Sequence, residues 1–176
     1  MNIYLVRHGQ TDLNEKQIIQ GWTDSSLNEK GKEQAREISK ELAGLAFDAV
    51  FSSDLKRAYE TAQIILENNK HADNTEIKTD KRLRERGLGR LEGESSRNIN
   101  ETVYYEDNDA LGFEKMLDFD SRVADFLSEI KDNNKNWNNV LVVTHNGTIN
   151  AFRRLVGESA AMASYENGAI VKLELG

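Results

Sequence analysis

Residues 140–144 read Val-Leu-Val-Val-Thr, an unbroken apolar and β-branched run with polar, turn-forming sequence on either side. So short a run between turn formers is read as a buried strand. It leads through His145-Asn146-Gly147 into a helix carrying Ile149, Phe152, Leu155 and Val156. Two further short strands are expected at 2–7 and 48–52, with a brief edge strand at 77–79. An alternating last strand, Ala169 to Leu175, follows an Asn167-Gly168 turn. Between the strands the spacing predicts helices. One spans about 29–43, capped by Asn28 and closed by a left-handed Gly44. A second, capped by Ser53 or Asp54, has the stripe Leu55, Ala58, Tyr59, Ala62, Ile65 and Leu66. A third runs from Phe113 to Ile130. Residues 10–27, 68–76, 80–97 and 132–139 read as loop or turn, and a weak acidic helix is expected within 98–108. Strands joined through whole helices need crossover connections, and therefore a mostly parallel sheet covered on both faces.

Length and charge narrow the function classes. A chain of 176 residues suits one domain, 1–176. Its net charge of −7 argues against a nucleic-acid partner. No window approaches the ~20 apolar residues of a membrane span, and the opening Met-Asn-Ile-Tyr-Leu-Val-Arg is too short for a signal core. Without cysteine there are no disulfides or thiolate metal sites, so a cytoplasmic location is expected with no membrane partner. The stretch 78–97 departs from the acidic average. Lys78, Lys81, Arg82, Arg84, Arg86, Arg90 and Arg97 outnumber Asp80, Glu85, Glu92 and Glu94. On charge alone this is read as a solvated loop.

In parallel α/β sheets ligands bind beyond the carboxyl ends of the strands. Three segments occupy that rim: Arg7-His8-Gly9, Ser52 to Arg57, and Thr144 to Thr148. Arg7 and Arg57 bring forks of donors suited to phosphate oxygens. The start of the helix after His145 offers backbone N–H groups to the same anion. Arg57 lies in the first turn of its helix, against the dipole by ~0.3–1 kcal/mol, which suggests another use. His8 is the candidate nucleophile, its other nitrogen held by a carbonyl near Gly9. Arg7, Arg57 and a protonated His145 would meet charge on the phosphoryl oxygens without a metal or other cofactor. Glu85 is the preferred proton donor to a leaving alkoxide, with Glu92 and Glu94 as neighbouring alternatives. His71 reads as solvated. Trp22, Tyr104 and Tyr105 read as partly buried packing or a pocket mouth.

These residues carry a resemblance. RHGQTDLN at 7–14, QGWTDSSLNEKGKEQA at 20–35, SSDLKRAYETA at 52–62, LRERGLGRLEG at 83–93 and VTHNGTI at 143–149 occur in the order found in the histidine phosphatase superfamily. The chain is similar to its phosphoglycerate mutase-like branch over nearly its full length. The resemblance implies a three-layer α/β/α sandwich with a mostly parallel central sheet. It implies His8 as phospho-acceptor, with Arg7, Arg57 and His145 holding the phosphoryl group and Glu85 as general acid. Asn14, Gln20 and Gly21 would join Asn146 in binding phosphate, with Thr11 near them. Asn146 departs from the glycine of many members and would narrow the pocket. The short acidic region 94–112 stands where relatives carry a substrate-choosing cap.

The expected activity is hydrolysis of a small phosphomonoester through a phosphohistidine. A cofactor-dependent mutase is the runner-up, since the shortness of the 94–112 region leans away from enclosure of substrate. A non-catalytic phosphate-binding module and a metal hydrolase rank lower, the latter because Arg7 and Arg57 would repel a cation. Natural substrate and oligomeric state stay open, a homodimer included.

Overall fold

The computed structural model describes residues 1–72, 75–133, 136–158 and 163–175. Asp73 and Asn74 of the expected 68–76 turn, and Asn134 and Lys135 of the 132–139 turn, lie outside them. Five strands form one sheet: β1 (Asn2–Arg7), β2 (Ala49–Ser52), β3 (Ile77–Thr79), β4 (Asn139–Thr144) and β5 (Ile170–Glu174), in the order β3-β2-β4-β1-β5. All pairs are parallel except β5 against β1. The chain reverses after the Asn167-Gly168 turn, where Gly168 has φ +85°, and β5 closes the edge beside β1.

Alternation along the strands sets up two cores. Ile3, Leu5, Val140 and Val142 face one side, with Val123, Phe126, Leu127, Ile130, Ile149 and Phe152 of two helices. Val6, Val50, Leu141 and Val143 face the other, with Ile38, Leu42, Ala58, Ala62 and Ile65 of two more. The helices are α1 (Asp12–Glu15), α2 (Glu29–Leu42), α3 (Lys56–Glu67), α4 (Met116–Asn133) and α5 (Asn146–Leu155). This is the expected three-layer arrangement. The loop after β1 leads to α2 on one face and the loop after β4 leads to α5 on the other. A crevice therefore opens between the carboxyl ends of neighbouring β1 and β4, where Arg7 is level with Thr144.

Local expectations differ from the structure at five points. Residues 10–27 contain α1, whose capping box pairs the Thr11 and Asn14 side chains with each other's backbone N–H. Gly44 is not a left-handed cap, because the Asn69 side-chain amide takes the carbonyls of Leu42 and Leu45 at 3.0 Å each. The cap residue of α3 is Leu55, without a side-chain bond; Ser53 Oγ accepts its N–H at 3.3 Å from outside the helix. Phe113 lies before α4, in a small third cluster with Ile19 and Leu88. Within 94–112 the backbone makes short 3-10 turns at Ser96–Asn98, Glu101–Tyr105 and Asp109–Leu111 rather than one helix. Ile99, Val103 and Leu111 pack on that third cluster.

Candidate active site

The strand β1 runs directly into the site. The His8 N–H continues the ladder to the Thr144 carbonyl at 3.0 Å, and the Gly9 N–H donates to Thr61 Oγ1 at 3.1 Å. A side chain at Gly9 would overlap the backbone of Gly31, and one at Gly31 the backbone of Gln10. The two glycines let α2 approach the loop after β1, so both motifs need them. The turn at Gly9 brings its carbonyl oxygen to 2.7 Å from His8 Nδ1. A carbonyl only accepts, so the proton sits on Nδ1 and the lone pair on Nε2. Arg57 Nε donates to that Nε2 at 3.2 Å.

A pocket of about 230 Å³ holds these groups together. Arg7, His8, Asn14, Gln20, Gly21, Arg57, Glu85, His145 and Asn146 all line it. The expected site residues thus converge. Thr11 stands one step back, donating through its hydroxyl to Gln20 Oε1 at 3.1 Å and to Asn14 Oδ1 at 3.0 Å. Asn167 also donates to Asn14 Oδ1, at 3.3 Å. His145 stacks edge-on to His8 with ring centroids 5.1 Å apart, its Nε2 2.9 Å from Ser53 Oγ. Among the described residues, two buried side-chain atoms have no hydrogen-bond partner: Arg7 Nε and His145 Nδ1. Both belong to this pocket, and buried polar groups are rarely left unpaired without a use.

A family model for the histidine phosphatase superfamily (branch 1) matches residues 3–175. The chain belongs to that superfamily. A broad-specificity phosphatase of Saccharomyces cerevisiae is 35% identical over 158 residues, covering 85% of this chain and 67% of its own. A phosphoglycerate mutase-like protein of Arabidopsis thaliana is 36% identical over 169 residues, covering 90% and 72% respectively. Among solved structures, a Bacillus anthracis phosphoglycerate mutase superposes with TM-score 0.87 at 26% identity, over 98% of this chain and 86% of its own. The expectation of a phosphatase-type enzyme of this family is met.

Within this histidine phosphatase the charges are arranged differently from the sequence expectation in several respects. Burial, reinforced by the Arg57 and Arg7 guanidinium groups, holds the His8 imidazole well below its ordinary pKa, with the Gly9 bond acting the other way. Burial likewise holds His145 well below its ordinary value, with Arg57, His8, Arg7 and Arg122 adding to it. The protein's own charges thus favour neutral His145; the protonated form expected at the phosphoryl oxygens rests on the charge of a bound phosphoryl group, which acts in the opposite direction. Burial also lowers Arg57 to about 10, so it stays cationic at neutral pH. Its terminal nitrogens are tied to backbone, Nη1 to the Thr23 carbonyl at 2.9 Å and Nη2 to Gly21 at 2.8 Å. Each keeps a second N–H. Arg7 Nη1 donates to the Tyr165 carbonyl.

At the start of α5 one of the N–H groups expected to face an anion, that of Gly147, is taken by a side chain of the protein. Glu85 Oε2 accepts the Gly147 N–H at 3.0 Å, and Oε1 accepts the N–H of Arg86 at 2.9 Å. The helix end orients this carboxylate. Glu92 is used elsewhere, accepting from the Thr23 N–H at 3.0 Å, the Thr23 hydroxyl at 3.1 Å and the Leu88 N–H at 3.0 Å. Neither Glu92 nor Glu94 lines the pocket. The departing residue Asn146 spends its oxygen on the Tyr165 N–H at 2.9 Å, fixing the neighbouring loop. Trp22 is 44% exposed and donates to the Glu85 carbonyl at 2.7 Å; Tyr104 lines the pocket, and the Tyr105 side chain lies outside the described residues. His71 is exposed.

The basic stretch is a solvated face only in part: Lys78, Lys81, Arg90 and Arg97 are exposed, whereas three arginines are held in ion pairs. Arg82 pairs with Asp80 at 2.6 Å and Glu129 at 2.8 Å, Arg84 with Asp54 at 2.6 Å, and Arg86 with Asp107 at 2.9 Å. Sequence reasoning also missed Arg122 and Glu114. Arg122 donates to the carbonyls of Arg82, Arg84 and Glu85 at 2.6–2.8 Å and to both carboxylate oxygens of Glu114. Glu114 in turn accepts the Gly87 N–H at 3.1 Å. The pair clamps the loop that carries Glu85. No local pattern marks it, because its partners lie about forty positions apart in the chain.

Proposed function

We propose that the chain is a metal-independent phosphatase acting on a small phosphomonoester, with His8 as the phosphoryl acceptor. The carrying observation is the tautomer of His8. Its Nδ1 proton is engaged by Gly9, and its Nε2 lone pair stands beside the cationic Arg57. In this reading Nε2 forms a bond to phosphorus as the ester P–O bond breaks, and Glu85 delivers a proton to the departing alkoxide oxygen. Water then attacks the phosphohistidine, gives its proton to Glu85, and the N–P bond breaks to release inorganic phosphate. Arg7, Arg57 and His145 receive charge on the three equatorial oxygens; the unpaired Arg7 Nε and His145 Nδ1 support that role. Asn14, Gln20, Gly21 and Asn146 complete the phosphate cradle. The whole chain acts as one domain, with 94–112 as a cap over the pocket. Among the described residues no helix is long and apolar enough to cross a membrane. The cysteine-free composition is in keeping with a cytoplasmic location.

The phosphoglycerate mutase name of the Bacillus anthracis neighbour favours a second reading, return of the phosphoryl group to another hydroxyl. One experiment separates them. A phosphomonoester panel is incubated in chelator and scored for free phosphate and, with a bisphosphoglycerate primer, for 3- to 2-phosphoglycerate conversion. Phosphate release without interconversion is expected. His8→Ala should abolish both turnover and an acid-labile phosphoenzyme; p-nitrophenyl phosphate hydrolysis at the wild-type rate would overturn the mechanism.

A further inference from the structure

Beyond the anion-binding groups, the walls of the pocket are Ile18, Ile19, Leu88, Tyr104, Met116 and Phe119, with Ser96 as a neutral polar contribution. Ile19 and Leu88 belong to the third apolar cluster, on which the 94–112 segment packs. Among the described lining residues, the cationic side chain outside the phosphoryl end is Arg86. It is only 3% exposed and its three nitrogens are engaged elsewhere. Nε donates to the Glu114 carbonyl at 2.7 Å, Nη1 to the carbonyls of Tyr104 at 2.9 Å and Glu106 at 3.2 Å, and Nη2 to Asp107 at 2.9 Å. Its guanidinium carbon also lies 5.7 Å from the Phe113 ring centroid. Arg86 thus holds the segment 104–107 and has its charge neutralised there. A carboxylate or second phosphate on a substrate would leave water for a wall whose cation is already paired with Asp107 and whose other side chains are apolar or neutral, a costly transfer. An apolar group on the same wall would gain by leaving water.

Resting on the phosphatase reading, we infer that the site selects phosphomonoesters whose alcohol part is uncharged and at least partly apolar, and rejects those carrying a second anionic group. The test compares n-butyl phosphate with 4-(phosphonooxy)butanoate, which differ by a carboxylate in place of the terminal methyl and so have similar leaving groups. The expected kcat/KM is at least tenfold higher for the butyl ester. Equal values, or a preference for the carboxylate, would overturn the inference while leaving hydrolysis intact. Affinity is read independently of turnover by calorimetric titration of both esters into the His8→Ala variant, where at least tenfold tighter binding of the butyl ester is expected. If the wild type hydrolyses neither ester, the phosphatase reading fails, and the affinity ratio still decides this one. Met116→Lys, which places a flexible cation on the apolar wall, should narrow or invert the wild-type ratio; an unchanged ratio in the folded variant counts against the wall as its source.

Discussion

Gly147 shows how one missing side chain leaves room for a carboxylate at this site. A Cβ at this position would overlap Glu85 Oε1, the far end of a side chain longer and more flexible than the helix backbone, so the carboxylate rather than the helix would give way. Gly147→Ala should be well tolerated by α5, since alanine is favoured over glycine in a helix by about 1 kcal/mol. Its cost should fall on proton delivery. The expected outcome is at least a tenfold loss in kcat for an alkyl phosphate, with a smaller loss for p-nitrophenyl phosphate, whose leaving group needs no proton, and an unchanged Tm within a few degrees. Equal losses on the two substrates would remove Glu85 from the acid role. At this scale the sequence was informative wherever chemistry is written locally. Arg7-His8-Gly9 and His145-Asn146-Gly147 could be read directly, because each sits at the end of a strand whose apolar run is visible. Glu85 could be preferred over Glu92 but not separated from it, because the difference is made by Gly147 and Thr23, distant residues that claim one carboxylate each.

At the scale of elements, α4 does more than cover the sheet. Arg122 stands on it with all five N–H groups donated, two to Glu114 and three to the carbonyls of Arg82, Arg84 and Glu85. The two side chains are only 16% and 12% exposed. Removing one member of such a pair leaves the other charge buried alone, at a cost of about 3 kcal/mol. Arg122→Ala should therefore lower stability by that order in urea unfolding. A purely structural role predicts normal kcat at a temperature where the variant is folded. A positioning role predicts a loss concentrated on poor leaving groups, with KM little changed, and this is the expected result. Arg122→Lys should not restore it, because an ammonium cannot reproduce the planar fork. The helix α4 is legible from its period, but its start is not: Phe113 has the spacing of the sheet-facing stripe, yet it packs with Ile19 and Leu88 instead. The short α1 was missed for the opposite reason: it buries nothing, and only its capping box announces it.

The whole molecule carries the stability consequence of burying two imidazoles among guanidinium groups. His8 and His145 both have their pKa values held well below the ordinary 6.5. The folded state therefore binds fewer protons than the unfolded chain just below that pH, and stability must fall as pH falls through this window. Each histidine contributes a slope of up to about 1.4 kcal/mol per pH unit until its folded-state value is reached. The carboxylate Asp54, held down by Arg84, acts only lower, below about pH 4, so the two windows are separable. Urea unfolding measured from pH 7.5 to 5 should show stability decreasing across the range in the wild type. The double substitution His8→Gln with His145→Gln should flatten that decrease, and an equally steep profile in the double variant would assign the pH dependence to other groups. The parallel sheet that makes this burial possible was visible in the sequence, because Val-Leu-Val-Val-Thr and its counterparts are apolar on both faces. The strand order was not. It depends on which strands meet across the sheet, and only that meeting, β1 beside β4 with their following helices on opposite faces, brings His8 and His145 into one desolvated crevice and gives both the same direction of shift.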